Sequence, residues 1–236
     1  TDLMQTPSGP PPSDPSIAMP DHSPPEEPLA RPIQACTQTS FPTPVSVHEW
    51  PASEELNAAL RDLILAEEAR GPGGVARSNV GGWHSDTGFL NRPDPPIRHL
   101  VQRIRTMIRA LSSMLIKPGQ HRFAVEGWAN VLRRGQYNAI HLHPNSTWSG
   151  VYYVTGNPPP DGEGNPDFSG KIEFIDPRPG ASASYTVENV MQQRSMLNPG
   201  PGTMIAFPSW LQHQVHPYFG PGERISIAYN VLITQG

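Results

Sequence analysis

Two histidines stand two positions apart in the segment 138–144, which has the character of a β-strand. Because successive side chains of a strand point to opposite faces, His141 and His143 share one face and Leu142 lies on the other. Two imidazoles that face the same way, close together, form half of a metal site. Such pairs also occur on ordinary strands, so the spacing alone leaves metal binding and plain packing equally open.

A further ligand of such a site would have to come from a distant part of the chain. Residues 207–217 contain two more histidines, His213 and His216, in another strand-like segment. Either imidazole could complete a set of three metal ligands, and spacing alone does not choose between them.

The last predicted strand, over 223–233, alternates between two kinds of side chain. One face carries Ile225, Ile227 and Tyr229, and the other carries Arg224, Ser226, Ala228 and Asn230. If the apolar face packs on helices, Arg224 and Ser226 point into a barrel, where an unpaired guanidinium would be very costly. A guanidinium beside a hydroxyl suits a bidentate carboxylate ligand. An internal ion pair, for example with Asp176, is the alternative.

Short β-strands separated by Gly, Pro and Asn fill the second half of the chain. We predict them over 122–134, 137–143, 148–155, 170–175, 184–188, 193–197, 203–207, 211–216 and 223–233. Helices followed by this many short strands indicate a mainly β protein, with a jelly-roll or cupin-like barrel over 122–233 and the helices packed on one outer face. That architecture is a double-stranded β-helix.

Two helices are predicted ahead of these strands. The first, over 53–70, begins with Ser53 as a capping hydroxyl followed by two glutamates, and it ends at Gly71. The second, over 96–116, has an apolar stripe, and its arginines, Arg103 among them, are expected to form a solvated face.

Proline dominates the N-terminal part of the chain, where 12 of the 30 prolines fall within residues 1–44. This segment lacks helical or strand periodicity, which predicts an extended or disordered arm over 1–40, partly polyproline II. Recruitment of a partner through a Pro-rich ligand is an alternative role for the arm. We expect one folded domain over 41–236.

The composition of the chain indicates which kinds of partner and which cellular compartment to expect. A formal net charge of −4 argues against nucleic acid or an anionic membrane as the main partner. No apolar run approaches the roughly 20 residues of a membrane span. The single cysteine, Cys36, rules out an internal disulfide framework and a Cys-rich metal site. A reducing cytoplasm is the simplest location.

Taken together, the His-x-His pair, the distal histidine and Arg224-x-Ser226 resemble the motif His-x-Asp/Glu…His…Arg-x-Ser of the 2-oxoglutarate/iron(II) oxygenase superfamily. A closer resemblance is to a 2-oxoglutarate–iron(II) oxygenase family of mostly uncharacterised bacterial proteins. It is carried by the segments 78–83, 128–130, 141–144, 149–154, 174–178, 207–213 and 224–230. The combination is specific, whereas each segment alone is not.

The resemblance implies a role for each matching residue. It makes His141, His143 and His213 the ligands of iron(II) and leaves His216 outside the metal site. It also implies that Arg224 binds the remote carboxylate of 2-oxoglutarate, with Ser226 and Tyr153 in support. Asn130 and Asn138 are implied to be pocket residues of unassigned role.

His143 departs from the superfamily, which usually has a carboxylate at this position. Three neutral imidazoles leave iron(II) with its full +2 charge, whereas two imidazoles and a carboxylate leave +1. With bound 2-oxoglutarate dianion the three-His site is neutral, so it should accept an anionic substrate more readily. Three-His iron sites also occur in cupin-type dioxygenases that need no 2-oxoacid, and the Arg-x-Ser motif weighs against that alternative.

The activity implied by the resemblance is oxidation of a C–H bond, by default hydroxylation, in a small molecule or peptide. O2 and 2-oxoglutarate are consumed, and succinate and CO2 are formed. A three-His dioxygenase without 2-oxoglutarate and a non-catalytic metal-binding barrel with a partner-recruiting arm are the alternatives. The Gly-, Pro- and Asn-rich segments 72–96 and 156–170 are expected to cover the substrate.

Overall fold

Two antiparallel sheets and two helices account for most of the regular structure. A computed structural model describes residues 41–116, 121–160, 162, 164–178 and 194–235. The predicted arm over 1–40 and the strand predicted over 184–188 lie outside the described residues. The other eight predicted strands are all observed, with bounds that shift by a few residues.

The strands, numbered along the chain, form two sheets of unequal size. The six-stranded major sheet has the order β1 (Ser46–Glu49), β9 (Thr203–Pro208), β6 (Trp148–Tyr153), β11 (Arg224–Gln235), β4 (His121–Leu132) and β3 (Trp83–His84). The five-stranded minor sheet has the order β2 (Asn79–Val80), β5 (Tyr137–His141), β10 (His213–Val215), β7 (Ile172–Ile175) and β8 (Arg194–Leu197). All pairings within both sheets are antiparallel, and the fold is the predicted double-stranded β-helix.

Three short strands, β1 to β3, were not predicted from the sequence. β2 and β3 have two residues each, too few for a period-two pattern to be visible. β1 lies at the edge of the major sheet, and three of its four residues are exposed. Such strands are specified by pairing with longer neighbours, here β5, β4 and β9.

Helix α1 spans Glu54–Arg70 and helix α2 spans Pro95–Leu115, close to the predicted bounds. Two glutamates occupy the first turn of α1, where the positive end of the helix dipole favours them. The backbone N–H of Gly71 closes the helix by donating to Glu67 O at 3.0 Å. Among the described residues, neither helix is long and apolar enough to cross a membrane.

The main hydrophobic core lies between the helices and the major sheet. Its members come from both helices and from the outward face of β11: Leu56, Leu60, Ile64, Ile97, Leu100, Ile104, Ile108, Leu111, Ile225, Ile227 and Tyr229. Burial of each Ile or Leu side chain contributes about 1.5–3 kcal/mol. The predicted division of β11 is therefore confirmed: its apolar face packs on the helices, and Arg224 and Ser226 face the opposite side.

Arg103 corrects the predicted solvated face of α2, because it is buried. Its Nη1 donates to Ser53 Oγ at 2.7 Å and to the Tyr152 hydroxyl at 3.2 Å, and Tyr152 in turn donates to Asn57 Oδ1 at 2.7 Å. The guanidinium also lies over the Trp50 ring, 5.2 Å from its centroid. The sequence had predicted that the Ser53 hydroxyl caps α1, and this prediction is wrong. The hydroxyl donates to Trp50 O instead. These polar contacts join α1 and α2 to the major sheet.

Gly150 marks a point of close approach between β6 and β11. A Cβ atom at this position would lie 2.3 Å from Ile205 O and 2.3 Å from the Tyr229 hydroxyl. Gly150→Ala should lower the free energy of unfolding by about 1–3 kcal/mol, as overpacking in a core does. Gly73→Ala is the matched control, since nothing lies within 4 Å of a Cβ there. Urea unfolding that gives equal stability for the two variants would contradict this packing.

Candidate active site

Three histidines converge at one end of the minor sheet. His141 ends β5 and His213 begins β10, and the two are direct partners in the register of these strands. His143 follows β5 in a turn, where its backbone N–H donates to Ser209 O at 2.9 Å. One ring nitrogen from each histidine lies within 4.8 Å of the others, so the three could hold one metal ion.

Hydrogen bonds orient two of the three imidazoles. His141 Nδ1 lies 2.7 Å from Ala139 O, and His213 Nδ1 lies 2.9 Å from Leu211 O. Because a carbonyl oxygen only accepts, each Nδ1 carries the proton and each Nε2 keeps its lone pair. Carbonyl partners of this kind fix the tautomer of metal-binding histidines. The Oγ of Ser78 lies 3.5 Å from His141 Nε2.

The electrostatics of the cluster keep the imidazoles neutral. Burial, with a smaller contribution from His141, lowers the pKa of His143 to about 4. Burial, again reinforced by His141, lowers the pKa of His213 to about 3, and burial also lowers the pKa of His141. Neutral imidazoles offer a metal their lone pairs without competition from protons at pH 7. No carboxylate joins the cluster within the described part of the chain.

Two residues considered as alternatives in the sequence lie elsewhere. His216 faces away from the cluster and contacts Glu173 Oε2 through Nε2 at 2.7 Å. Asp176 pairs with Arg178, whose Nη2 lies 2.6 Å from Asp176 Oδ2. Asp176 is therefore not the partner of Arg224, and His213 is the third member of the cluster.

The five residues expected around 2-oxoglutarate line one inner pocket together with the three histidines. They are Arg224 and Ser226 on β11, Tyr153 on β6, Asn130 on β4 and Asn138 on β5. The register of the major sheet explains why they meet, because Ser226 pairs with Tyr153 on one side and with Asn130 on the other. Asn138 Nδ2 donates to Ser78 Oγ at 3.4 Å, beside His141.

Arg224 is the most deeply buried charged group of this pocket, with 1% of its surface exposed. Its Nε and Nη2 atoms have no hydrogen-bond partner among the described residues, and neither has the Tyr153 hydroxyl. The guanidinium lies over the Tyr153 ring, 5.2 Å from its centroid. Burial lowers the pKa of Arg224 and raises that of Tyr153. A buried cation with free donors costs several kcal/mol unless an anion meets it, so this pocket fits a carboxylate.

An outer cavity of about 490 Å³ opens next to the histidine cluster. His141 and His143 form part of its wall, and residues 77–87 contribute another part, as expected for the segment 72–96. No described residue of 156–170 lines the cavity, which corrects the other expectation.

Ser78, His84 and Glu126 are among the residues of this wall that were not predicted from the sequence. Ser78 lies in one of the segments that carry the family resemblance, which was the available signal. His84 is buried and stacks on Trp128, with ring centroids 5.4 Å apart and planes at 12°. Its position depends on the two-residue strand β3 and had no local signal. Glu126 and Arg122 are the charged residues of β4, and no local pattern marked Glu126 as part of a site.

Comparison with known proteins supports this geometry. Residues 126–230 match the family model described as "Putative 2OG-Fe(II) oxygenase". This range contains the whole histidine cluster and the five residues that were expected around 2-oxoglutarate. No curated protein sequence matches the chain at a significant level.

Solved structures with the same fold are 2-oxoglutarate oxygenases. A prolyl-4-hydroxylase from Pseudomonas putida is 17% identical, with 80% of this chain and 91% of that chain covered and a TM-score of 0.54. A Trichoplax adhaerens prolyl hydroxylase in complex with a hypoxia-inducible-factor peptide is 15% identical, with 80% and 83% covered and a TM-score of 0.56. HygX from Streptomyces hygroscopicus, with nickel and 2-oxoglutarate bound, is 11% identical, with 80% and 82% covered and a TM-score of 0.54.

These likenesses establish the fold. The family match over residues 126–230 favours one of the three interpretations of the sequence, the 2-oxoglutarate-dependent oxygenase. The part of the chain that carries the histidine cluster and the inner pocket, residues 126–230, is similar to a 2-oxoglutarate–iron(II) oxygenase family.

Proposed function

We propose that this enzyme hydroxylates a C–H bond of a small molecule or peptide, with iron(II) held by His141, His143 and His213 and 2-oxoglutarate held by Arg224. The observation that carries the proposal is the buried guanidinium of Arg224, whose Nε and Nη2 have no hydrogen-bond partner among the described residues, in the same pocket as three convergent, neutral imidazoles. We assign residues 41–236 to one oxygenase domain, because both helices pack on the major sheet. The single cysteine supports a reducing, cytoplasmic location.

The three histidines fit iron(II). Imidazole is a good ligand for iron as well as for zinc, copper and nickel, so the ligand set alone does not select the metal. The neighbouring anion pocket supports the assignment of iron(II), because oxidative decarboxylation of 2-oxoglutarate is chemistry that iron(II) would supply when bound. The histidines hold the metal, and the carbonyls of Ala139 and Leu211 keep two of the imidazoles in the required tautomer.

The inner pocket fits the remote carboxylate of 2-oxoglutarate. Arg224 can donate two hydrogen bonds from Nε and Nη2, which matches a carboxylate in both charge and shape. Tyr153 and Ser226 add hydroxyl groups on the same wall. Asn130 Oδ1 is buried without a partner among the described residues and is a free acceptor in the pocket, and Asn138 supports Ser78 beside His141.

Both substrate classes are represented among structures with this fold. The Trichoplax enzyme holds a peptide, and HygX has been crystallised with hygromycin B, a small molecule. The outer cavity of this chain lies within the range of about 300–1,000 Å³ that is usual for small-molecule sites. A dioxygenase that uses three histidines without a 2-oxoacid remains the second candidate, and the observation that favours it is His143 in place of a carboxylate.

The test is the 2-oxoglutarate dependence of O2 consumption. The purified enzyme loaded with iron(II) should bind 2-oxoglutarate under anaerobic conditions, with a visible charge-transfer band, and should release succinate when O2 is admitted. The metal-free enzyme is the control and should do neither. Consumption of O2 that does not require 2-oxoglutarate and yields no succinate would instead support the second candidate.

A further inference from the structure

Two side chains of opposite charge line the outer cavity, Arg77 and Glu126. They do not pair with each other, and neither forms an ion pair with any residue that the structure describes. Both side chains are exposed, so water solvates them in the free enzyme. A substrate that fills the cavity displaces part of this water, and each charge then needs a new partner.

The carboxylate of Glu126 is held in place without being neutralised. Asn230 Nδ2 donates to Glu126 Oε1 at 3.0 Å, and Ser149 Oγ donates to Asn230 Oδ1 at 2.8 Å. Ser149 and Asn230 are both buried. This hydrogen-bond chain therefore runs from the barrel interior to the cavity wall and leaves Glu126 Oε2 free to accept a hydrogen bond.

Arg77 lies on the wall formed by the segment before β2. Its backbone N–H donates to Asn79 Oδ1 at 2.7 Å, which fixes the turn at this residue. Burial lowers the pKa of His84, the contact of its ring with the Ser85 carbonyl opposes this, and the charge of Arg77 adds a smaller lowering. The stacked rings of His84 and Trp128 complete an apolar wall of the cavity next to the cluster.

We propose that the substrate is a zwitterion of the amino-acid type, whose cationic group pairs with Glu126 and whose carboxylate pairs with Arg77. The inference rests on the proposed function, since it places this substrate beside the iron site. A purely anionic substrate would satisfy Arg77 but would be repelled by Glu126, and a purely cationic one would meet the reverse problem. A zwitterion satisfies both charges, and its apolar part can contact Trp128.

The first experiment measures succinate release by the iron-loaded enzyme with 2-oxoglutarate, O2 and a panel of free L-amino acids. Each amino acid is accompanied by its N-acetyl derivative, which lacks the cation, and its methyl ester, which lacks the anion. We expect at least one free amino acid to raise succinate release, with KM about tenfold or more higher for both of its derivatives. A panel in which no free amino acid acts, or in which a derivative acts equally well, overturns the inference.

Charge-neutral variants then assign each charge to its residue. Glu126→Gln should raise KM for the free amino acid about tenfold or more and leave that for its N-acetyl derivative nearly unchanged. Arg77→Gln should likewise raise KM for the free amino acid about tenfold or more and leave KM for its methyl ester nearly unchanged. Glu55→Gln and Arg98→Gln remove exposed charges on the helices and are the controls. If Glu126→Gln and Glu55→Gln have equal KM values for the free amino acid, Glu126 does not bind the substrate.

The two proposals fail in different ways. If the iron-loaded enzyme does not bind 2-oxoglutarate in the absence of O2, the proposed function is refuted. The inference of a zwitterionic substrate is then refuted as well. If 2-oxoglutarate binds with its charge-transfer band but no zwitterion perturbs the band or accelerates succinate release, only the substrate inference falls.

Discussion

Arg224→Ala should weaken the binding of 2-oxoglutarate by about 2–5 kcal/mol, which is the usual cost of removing one partner from a buried charged pair. The guanidinium is almost completely buried, and its free donors face the inner pocket. Arg224→Lys should recover only part of the loss, because an ammonium group cannot donate the two parallel hydrogen bonds of a guanidinium. Anaerobic titration of the iron-loaded variants with 2-oxoglutarate measures both effects.

Arg178→Ala is the matched control for that substitution. Arg178 is exposed and, among the described residues, pairs with Asp176, so its loss should leave 2-oxoglutarate binding unchanged. Iron binding by each variant should be measured separately, since Arg224 does not belong to the histidine cluster. An unchanged requirement for 2-oxoglutarate in Arg224→Ala would show that this arginine has a structural role.

His143→Ala should lower the affinity for iron by about 100-fold or more, since even partners outside the ligand shell are worth about 10- to 100-fold. His143→Asp should keep iron bound, because it restores the carboxylate that the superfamily usually has at this position. The Asp variant carries one more negative charge at the metal, so a substrate carboxylate should bind it less well. Metal titration of the three proteins measures the first two effects before a substrate is identified.

His216→Ala provides the control for the histidine substitutions. His216 contacts the buried Glu173 on the face of the minor sheet opposite the histidine cluster, so its loss should leave the iron affinity unchanged. Full iron occupancy in His143→Ala would refute the three-histidine site, and the same loss in both variants would show that the measurement reports on folding.

The distal histidine shows where prediction from the sequence stops. His213 and His216 have opposite parity in a strand, so only one of them can face the barrel interior. Both are flanked by similar residues, and the choice came from the family resemblance. In the structure the two differ in their partners: His213 lies opposite His141 on β5, whereas His216 and Gln214 both contact Glu173 on the other face of the minor sheet.

Other parts of the site had no local signal at all. Glu126 and Asn230 are cross-strand partners on β4 and β11. Neither segment contains a sequence pattern that predicts this pairing. Arg103 was assigned to a solvated face because it lies at the margin of the apolar stripe of α2. Its burial follows from hydroxyl partners on α1 and β6, which only the packed structure brings to it.

The histidines differ in how firmly the backbone holds them. His141 and His213 are part of a strand pairing, whereas His143 lies in the turn 142–147, where Asn145 has a positive φ of 64° and one backbone hydrogen bond ties His143 to Ser209. A metal bound by all three is therefore also a cross-link between that turn and the minor sheet. Binding of iron would therefore restrict the movement of this turn, which forms part of the wall of the outer cavity. The affinity for the metal and the rigidity of the cavity wall are then thermodynamically coupled.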